Sequence, residues 1–542
     1  MRQEALFNSG VFHSVYDNWL NYLTADNMYV YAAVAVAVLF LAWLPFKFVA
    51  VNDYRPFMPA EKLFFDRSRI SDWSGAVLLA FSFAAYATVM FCQEMSVFNN
   101  FDMMTIGFIT SLKQGVTPVF GEWRFTPLSG FDYNFLFAVT NNGCVITVYI
   151  MLKQLLCLFL LYKIFAFVPV AKRLVMLASV NFIPSVFWMN NIIFQEQNIL
   201  IFVLLSLLAL NRYQQTSRSS FLLWFILAMN VALYIKETTV LLYAGLGIWL
   251  VLNAVFCEKI TFWSFRHPLR TIKTLPVEWL MFWSMFVYST YWMLAEPIFD
   301  NRYLYSHARS LAETVNVYKT ELALAEVALL IMAAKFVRRR FSTMNLLGEG
   351  SVLGCAFIVV YVVFRLHIVP ASDYLLSYYL YLPAVFCTSY IFCNLSKRLI
   401  LGALTAILAI YSIYENYTIN ISCHGKDRRA VAEFIITRAA KENMTVYLHI
   451  NQRIYFKWWK TMAWSSALKY AAPDIHLRLK TDLDIYRFYV PEDDKFFETA
   501  LGQPEKGDYI LVNTIDKPEF TADSEYQIIY HNPTYCLYFV GD

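Results

Sequence analysis

Residues 194–210 read FQEQNILIFVLLSLLAL, a short polar start followed by a long apolar run. An apolar run of this kind predicts a helix that lies inside a lipid bilayer. The polar start carries Glu196, and an acid there avoids most of the roughly 2.5–3.5 kcal/mol that it would cost at the centre of the bilayer. The stretch therefore predicts a membrane helix that begins near one surface with a carboxylate.

Similar apolar runs recur along the 542 residues, of which 59% are hydrophobic and only 15% charged. A soluble domain has about 25% charged residues and is less than half apolar. The sequence therefore predicts a polytopic α-helical membrane protein with about twelve transmembrane helices. We place them near residues 29–50, 73–92, 144–166, 173–189, 198–211, 220–235, 241–256, 275–295, 322–337, 351–369, 380–394 and 399–414.

The ends of the chain differ from this transmembrane domain, which we expect to cover residues 29–414. Residues 1–28 lack the basic and apolar regions of a cleavable signal peptide and are expected to form an extracytoplasmic segment. The net charge of +4 is too small to indicate nucleic-acid binding, so the predicted partner at this level is the lipid bilayer.

The distribution of Lys and Arg predicts the orientation of the helices. Alternate loops carry about nineteen basic residues, and the other set carries about eight. The positive-inside rule makes the first set cytoplasmic. Loop 93–143 and everything after residue 415 are then expected to face outward.

The polar tail, residues 415–542, predicts a small extracytoplasmic α/β domain. DRRAVAEFIITRAAKEN predicts a helix, MTVYLHI and GDYILVN predict strands, and YQIIYHN with YCLYFVG predicts a hairpin around Asn532-Pro533. A further helix is expected over 452–471. Cys423 and Cys536 both lie in this tail, and a disulfide or two free thiols are the two interpretations.

Acids and bases in the outward-facing loops are the candidates for chemistry. Residues 98–115 read FNNFDMMTIGFITSLKQG, in which Asp102 is either a helix N-cap or a general base. Glu196 is likewise an interface residue or a second catalytic carboxylate. Lys236, in the tight turn YIKETT, either reaches toward the headgroups or holds a phosphate.

Further outward-facing side chains are candidates for binding a phosphate or a substrate. Arginine binds phosphate with two parallel hydrogen bonds, and tyrosine rings stack on sugars or lipid tails. The alternative interpretation of each is contact with lipid headgroups or membership of an aromatic belt. These residues are Arg124, Arg302, Arg309, Arg365 and Tyr379.

The first outward loop resembles that of the GT-C superfamily of membrane glycosyltransferases. Asp102 follows an apolar span, a helix-like run ends at Gly115, and Pro127-Leu128 comes next. Pro184 lies early in one span, and Glu196 leads the next helix. About a dozen spans followed by an outer polar domain are similar to the layout of this superfamily.

The resemblance implies transfer of a sugar from a polyprenyl-phosphate donor to an acceptor hydroxyl on the outer face of the membrane, with inversion and Asp102 as general base. The acceptor would be a surface glycan such as an O-antigen, or a lipid-linked acceptor, which implies a bacterial inner membrane. A single Asp with a distant Glu196 is a poor cage for a divalent cation, so a divalent metal is an alternative that is not favoured, and no other cofactor is expected. The alternatives are a multi-span transporter, and a glycan ligase or polymerase that uses lipid-pyrophosphate donors.

Overall fold

The computed structural model describes residues 72–92, 128, 132, 143–183, 186, 195–216, 218–256, 274–295, 319–337, 346–368, 377–395, 398–416, 425–449, 464, 468, 477–481, 499–513 and 526–541. These residues form twelve α-helices, a single 3-10 turn and a six-stranded sheet. The predicted N-terminal segment and the first predicted span, 29–50, lie outside the described residues.

Eleven of these helices lie between residues 72 and 416, and each overlaps one of the predicted apolar runs. Their helical structure is confirmed. They are α1 (Asp72–Cys92), α2 (Gly143–Ile164), α3 (Val170–Asn181), α4 (Glu196–Thr216), α5 (Ser219–Ile235), α6 (Thr239–Phe256), α7 (Pro276–Ala295), α8 (Lys319–Val337), α9 (Leu346–Ile368), α10 (Tyr381–Asn394) and α11 (Arg398–Asn416).

Fewer helices meet the requirements of a membrane span than the twelve that the sequence predicts. Among the described residues, three are long and apolar enough to cross a bilayer: 72–91, 144–164 and 196–216. Four further apolar helices, within α5, α6, α9 and α11, are shorter. Helix α8 carries a charged residue near each end, Glu321 in its first turn and Lys335 in its last.

The shortest helices of the bundle, α3 and α10, lie in its interior. Every residue of α10 from Tyr381 to Cys393 is buried, and so are most residues of α3. A helix that is buried on all sides belongs to the core of a bundle. A helix that packs against protein on all sides does not need to reach across a bilayer. This explains why the predicted runs 380–394 and 173–189 are shorter than an upright span.

Lys172 and Arg173, two of the roughly nineteen basic residues counted in the predicted cytoplasmic loops, are buried instead. The Arg173 guanidinium donates hydrogen bonds to the carbonyls of Tyr162, Ala166 and Val168, and it stacks 4.2 Å from the centre of the Tyr162 ring. Lys172 donates to the carbonyl of Cys393 at 2.9 Å. Both cations therefore stabilise carbonyls at or just beyond the ends of neighbouring helices.

A buried carboxylate, Glu349, lies where α8, α9 and α10 meet. The Glu349 side chain is fully buried, and its Oε1 accepts hydrogen bonds from Lys335 at 2.9 Å and from the Tyr390 hydroxyl at 2.8 Å. Lys335 lies 5.2 Å from the centre of the Tyr390 ring. A carboxylate in this position is stabilised by the ammonium and the hydroxyl together.

The tail contains helix α12 (Gly425–Ala439) and strands β1 (Met444–His449), β2 (Leu477–Thr481), β3 (Thr499–Leu501), β4 (Tyr509–Asn513), β5 (Tyr526–His531) and β6 (Tyr535–Val540). The strand order is β3-β2-β1-β4-β6-β5; the first four strands are parallel, and β6 is antiparallel to both neighbours. The predicted helix α12, strands β1 and β4 and the final hairpin are confirmed. The predicted helix 452–471 lies outside the described residues except for Trp464 and Leu468.

The core of the tail lies between α12 and one face of the sheet. Val431 and Ile435 of α12 pack with Val446, Leu448 and Leu511. Beyond the helix, Glu442 accepts hydrogen bonds from Arg438 and Tyr509, which lower the pKa of its carboxyl. Cys536 is a buried free thiol, and Cys423 lies outside the described residues.

Candidate functional site

The start of α4 carries four consecutive polar side chains that are all buried, Gln195, Glu196, Gln197 and Asn198. Burying a polar group is costly unless it finds a partner. Each of the four makes a hydrogen bond or an ion pair, and three of them do so with other elements of the fold. We call these four residues the QEQN segment. Hydrogen bonds and ion pairs to α2, to Asp132 and to the end of α5 converge on it.

Glu196 forms an ion pair with Lys236, which follows the last residue of α5. The Glu196 and Lys236 side chains are 3% and 12% exposed. Lys236 also lies 4.7 Å from the centre of the Tyr379 ring, and the Tyr379 hydroxyl donates to Glu237 at 3.4 Å. The second carboxylate oxygen of Glu196 is buried and has no hydrogen-bond partner among the described residues.

The turn between α5 and α6 fixes the position of Lys236. The Lys236 N–H donates to the carbonyl of Ala232 and so continues the last turn of α5. Its own carbonyl accepts from the Thr239 hydroxyl at 2.8 Å, which closes the turn. The Lys236 backbone is extended, so the side chain leaves the helix axis toward α4.

On the other side of the QEQN segment, Asn198 belongs to a second polar cluster. Its amide donates to Asp132 Oδ1 at 2.7 Å, and its carbonyl oxygen accepts from Lys153 at 3.0 Å. Asp132 Oδ2 accepts from the Tyr149 hydroxyl at 2.7 Å and from Lys153 at 3.0 Å. Lys153 is near the middle of α2, so this ion pair lies within the bundle rather than at its rim.

Gln197 connects the same segment to two further helices. Its amide donates to the carbonyl of Ile150 at 3.2 Å and to the Gln154 side chain at 3.4 Å. Gln154 in turn donates to Asn181, the last residue of α3, at 3.0 Å. The start of α4 is therefore held by hydrogen bonds to α2 directly and to α3 through Gln154.

Three of the residues predicted from the sequence, Glu196, Lys236 and Tyr379, come together in the structure. The other predicted residues Asp102, Arg124, Arg302 and Arg309 lie outside the described residues. Arg365 lies in the last turn of α9, and its side chain is outside the described part of the chain. The role of Glu196 as a second catalytic carboxylate stays a prediction, and its contact with Lys236 means that neither side chain acts alone.

Sequence reasoning missed Asp132, Tyr149, Lys153 and Asn198. The available signal was Lys153, a charged residue in the middle of the apolar run of α2, because such a residue requires a buried partner. Among the described residues, no group of three or more His, Cys, Asp or Glu side chains is arranged to hold a metal ion.

An apolar cavity of about 420 Å³ lies between α1, α2 and α3. Helix α1 lines it with Leu79 and Phe83, and α2 lines it with Leu155, Phe159 and Tyr162. Helices α1 and α2 are two of the three candidate membrane spans, so this cavity is suited to a hydrocarbon chain.

Comparison with the models of known protein families finds no match, and comparison with curated proteins finds none either.

Proposed function

We propose that this chain is an integral-membrane glycosyltransferase of the GT-C type. It would move a sugar from a polyprenyl-phosphate donor to an acceptor hydroxyl at the outer end of its helical bundle. The observation that supports this best is the buried cluster of Glu196, Lys236 and Tyr379, which joins an acid, a cation and an aromatic ring at the ends of separate helices. An ionisable residue inside an apolar membrane bundle is a candidate functional residue, because burying its charge is costly.

In the proposed reaction, Asp102 accepts the proton of the acceptor hydroxyl as that oxygen attacks the anomeric carbon. The new bond forms between the acceptor oxygen and the anomeric carbon, and the bond from that carbon to the phosphate oxygen breaks. The phosphate leaves with the bonding electrons, and positive groups stabilise the charge it gains. Inversion at the anomeric carbon follows from a single displacement.

The contact with Glu196 limits what Lys236 contributes to a phosphate site. A carboxylate at hydrogen-bond distance offsets much of the charge of the ammonium. The proposed phosphate site therefore depends on Arg302, Arg309 and Arg365 as well, each of which can bind a phosphate with two hydrogen bonds. Glu196 then acts mainly by holding Lys236 in place, and Tyr379 by covering it.

The apolar cavity between α1 and α2 supports a lipid-linked donor. The residues of α2 that line it begin with Leu155, directly beyond Lys153 and Gln154 in the same helix. A polyprenyl chain whose phosphate lies near the polar cluster would then find an apolar surface further along α2. No such surface is required by a water-soluble nucleotide sugar.

The test is transfer of a labelled sugar from a polyprenyl-phosphate donor by membranes that contain the chain. Asp102→Asn is expected to lower transfer by roughly 10²–10⁴-fold, the range of general base catalysis. Asp72→Asn makes the same chemical change at the exposed first residue of α1 and should leave transfer unchanged. Full activity of the Asp102 variant would remove Asp102 from the mechanism, and absence of transfer by the parent chain with all donors would reject the proposal.

A transporter is the second candidate, because two buried charge pairs lie within the bundle. Asp132 with Lys153 and Lys335 with Glu349 are the kind of interior pairs that line transport pathways. Uptake of a solute into sealed vesicles without transfer of label would favour this function. Transfer from lipid-pyrophosphate donors alone would instead favour a glycan ligase or polymerase.

A further inference from the structure

Asp132 lies between α1 and α2 in sequence and contacts two different helices. Its Oδ2 accepts hydrogen bonds from Tyr149 and Lys153 of α2, and its Oδ1 accepts from Asn198 of α4. The Asp132 side chain is 22% exposed and that of Lys153 7%. An ion pair at this depth, with hydrogen bonds to both carboxylate oxygens, fixes geometry more firmly than an exposed pair does.

The same stretch of chain has a second attachment point four residues earlier. The Leu128 N–H donates to the carbonyl of Tyr234 at 3.2 Å. Tyr234 is in the last turn of α5, two residues before Lys236. Leu128 and Asp132 therefore attach the end of loop 93–143 to α5 on one side and to α2 and α4 on the other.

The start of α4 lies between these contacts. Residues two apart on a helix face different directions, so Glu196 and Asn198 extend to different neighbours. Glu196 pairs with Lys236 at the end of α5, and Asn198 bonds Asp132 and Lys153. The contacts of Asn198 and of Glu196 therefore hold the same turn of α4 from two sides.

We infer that Asp132, through Lys153, Tyr149 and Asn198, clamps its own part of the chain to α2 and to the start of α4 and is a positioning residue for the candidate site. The clamp stands on its own contacts, and its effect on sugar transfer rests on the proposed function. Asp132 is unsuited to be a general base itself, because three donors already occupy its two oxygens. Its role is to fix the start of α4, and with it Glu196, relative to Lys236.

The experiment combines hydrogen exchange with kinetics on the full-length protein in lipid nanodiscs. Tyr149→Phe removes one hydrogen bond and keeps both charges and the ring beside Lys153, so this variant is expected to fold. Asp132→Asn removes the charge at constant shape, and Asp132→Glu keeps the charge. Asp72→Asn is the matched control. Exchange is followed at the amides of Leu128 and Ile199, which donate to Tyr234 and Gln195.

We expect Asp132→Asn and Tyr149→Phe to accelerate exchange at both amides and the control to leave it unchanged. In the transfer assay, Asp132→Asn should lower kcat roughly 10- to 100-fold, as misplacement by about 1 Å does, with little change in the donor KM. Asp132→Glu should recover part of the lost kcat, which a merely structural role would not require.

Two results would overturn the inference. Unchanged exchange in Asp132→Asn and Tyr149→Phe would show that no clamp exists, whatever the chain catalyses. Accelerated exchange with an unchanged kcat would show that the contacts are structural and position nothing. If the parent chain transfers no sugar from any donor, the proposed function fails, and exchange at Leu128 and Ile199 alone still decides whether Asp132 clamps its own part of the chain.

Discussion

Glu196 and Lys236 offset the burial of each other's charge, so removing either one leaves the other without its partner. Losing one member of a buried ion pair costs about 3–5 kcal/mol, whereas replacing both by neutral groups is often much less destabilising. We expect Glu196→Gln and Lys236→Met each to lower the thermal stability of the purified protein strongly. The double variant should be more stable than the sum of the two effects predicts.

The measurement is a double-mutant cycle on the unfolding temperature of the purified protein in one detergent. The matched control is Gln215→Met, at an exposed residue in the last turn of the same helix α4. A substitution at such a surface position should leave the unfolding temperature nearly unchanged. Strictly additive effects of Glu196→Gln and Lys236→Met would show that the pair contributes nothing as a pair.

At the residue level, the sequence predicted the charged residues next to the apolar runs and missed the polar cluster around Asp132. Glu196 and Lys236 were recognisable because each lies in a polar turn between two apolar runs. Asp132 was not, since it lies in a long loop and its partners Tyr149 and Asn198 are distant in sequence. Such pairings depend on which helices pack together, and an apolar pattern carries no information on that.

Helices α6 and α9 approach each other closely at Gly245 and Gly354. A Cβ atom added at Gly354 would lie 2.3 Å from the Leu242 carbonyl oxygen, and one at Gly245 would lie 2.3 Å from the Gly354 Cα. These neighbours are backbone atoms and cannot move aside without separating the helices. We expect Gly354→Ala to destabilise the protein by about 1–3 kcal/mol, the usual cost of overpacking.

Gly402 in α11 is the matched control, because a Cβ there meets no atom within 4 Å. Gly402→Ala should leave stability unchanged or raise it by up to about 1 kcal/mol through helix propensity. Thermal unfolding of both variants in one detergent separates the two cases. Equal unfolding temperatures for Gly354→Ala and the parent would contradict the close approach of α6 and α9.

At the element level, apolar length predicted the helices, while the sheet was predicted only in part. Strand β4 reads as a continuous apolar run and β1 as nearly so, and both were recognised. Strand β2 reads LRLKT, and its Lys480 is held by Asp508 at 3.1 Å. This interior strand therefore carries charge and is not the continuous apolar run that is typical of a buried parallel strand. Its place between β1 and β3 follows from pairing with strands distant in sequence.

At the scale of the whole molecule, the orientation of the helices decides on which side of a membrane the candidate site lies. The start of α4, the end of α5 and the 3-10 turn Ser377–Leu380 meet around Lys236. The positive-inside rule, applied to the basic residues of the loops, predicts that all three face outward. The structure brings these ends together, and which side of a membrane they face is still a prediction.

The orientation is testable with cysteines at two exposed positions, Lys506 in the tail and Arg218 between α4 and α5. We expect a membrane-impermeant maleimide added to intact cells to label Lys506→Cys, because the tail is predicted to be extracytoplasmic. Arg218→Cys should be labelled only after the membrane is opened, since the positive-inside rule places its loop in the cytoplasm. The parent chain, with its exposed Cys144, gives the background. Labelling of Arg218→Cys but not Lys506→Cys in intact cells would reverse the orientation and put the candidate site on the cytoplasmic side, where the proposed transfer at the outer face is excluded.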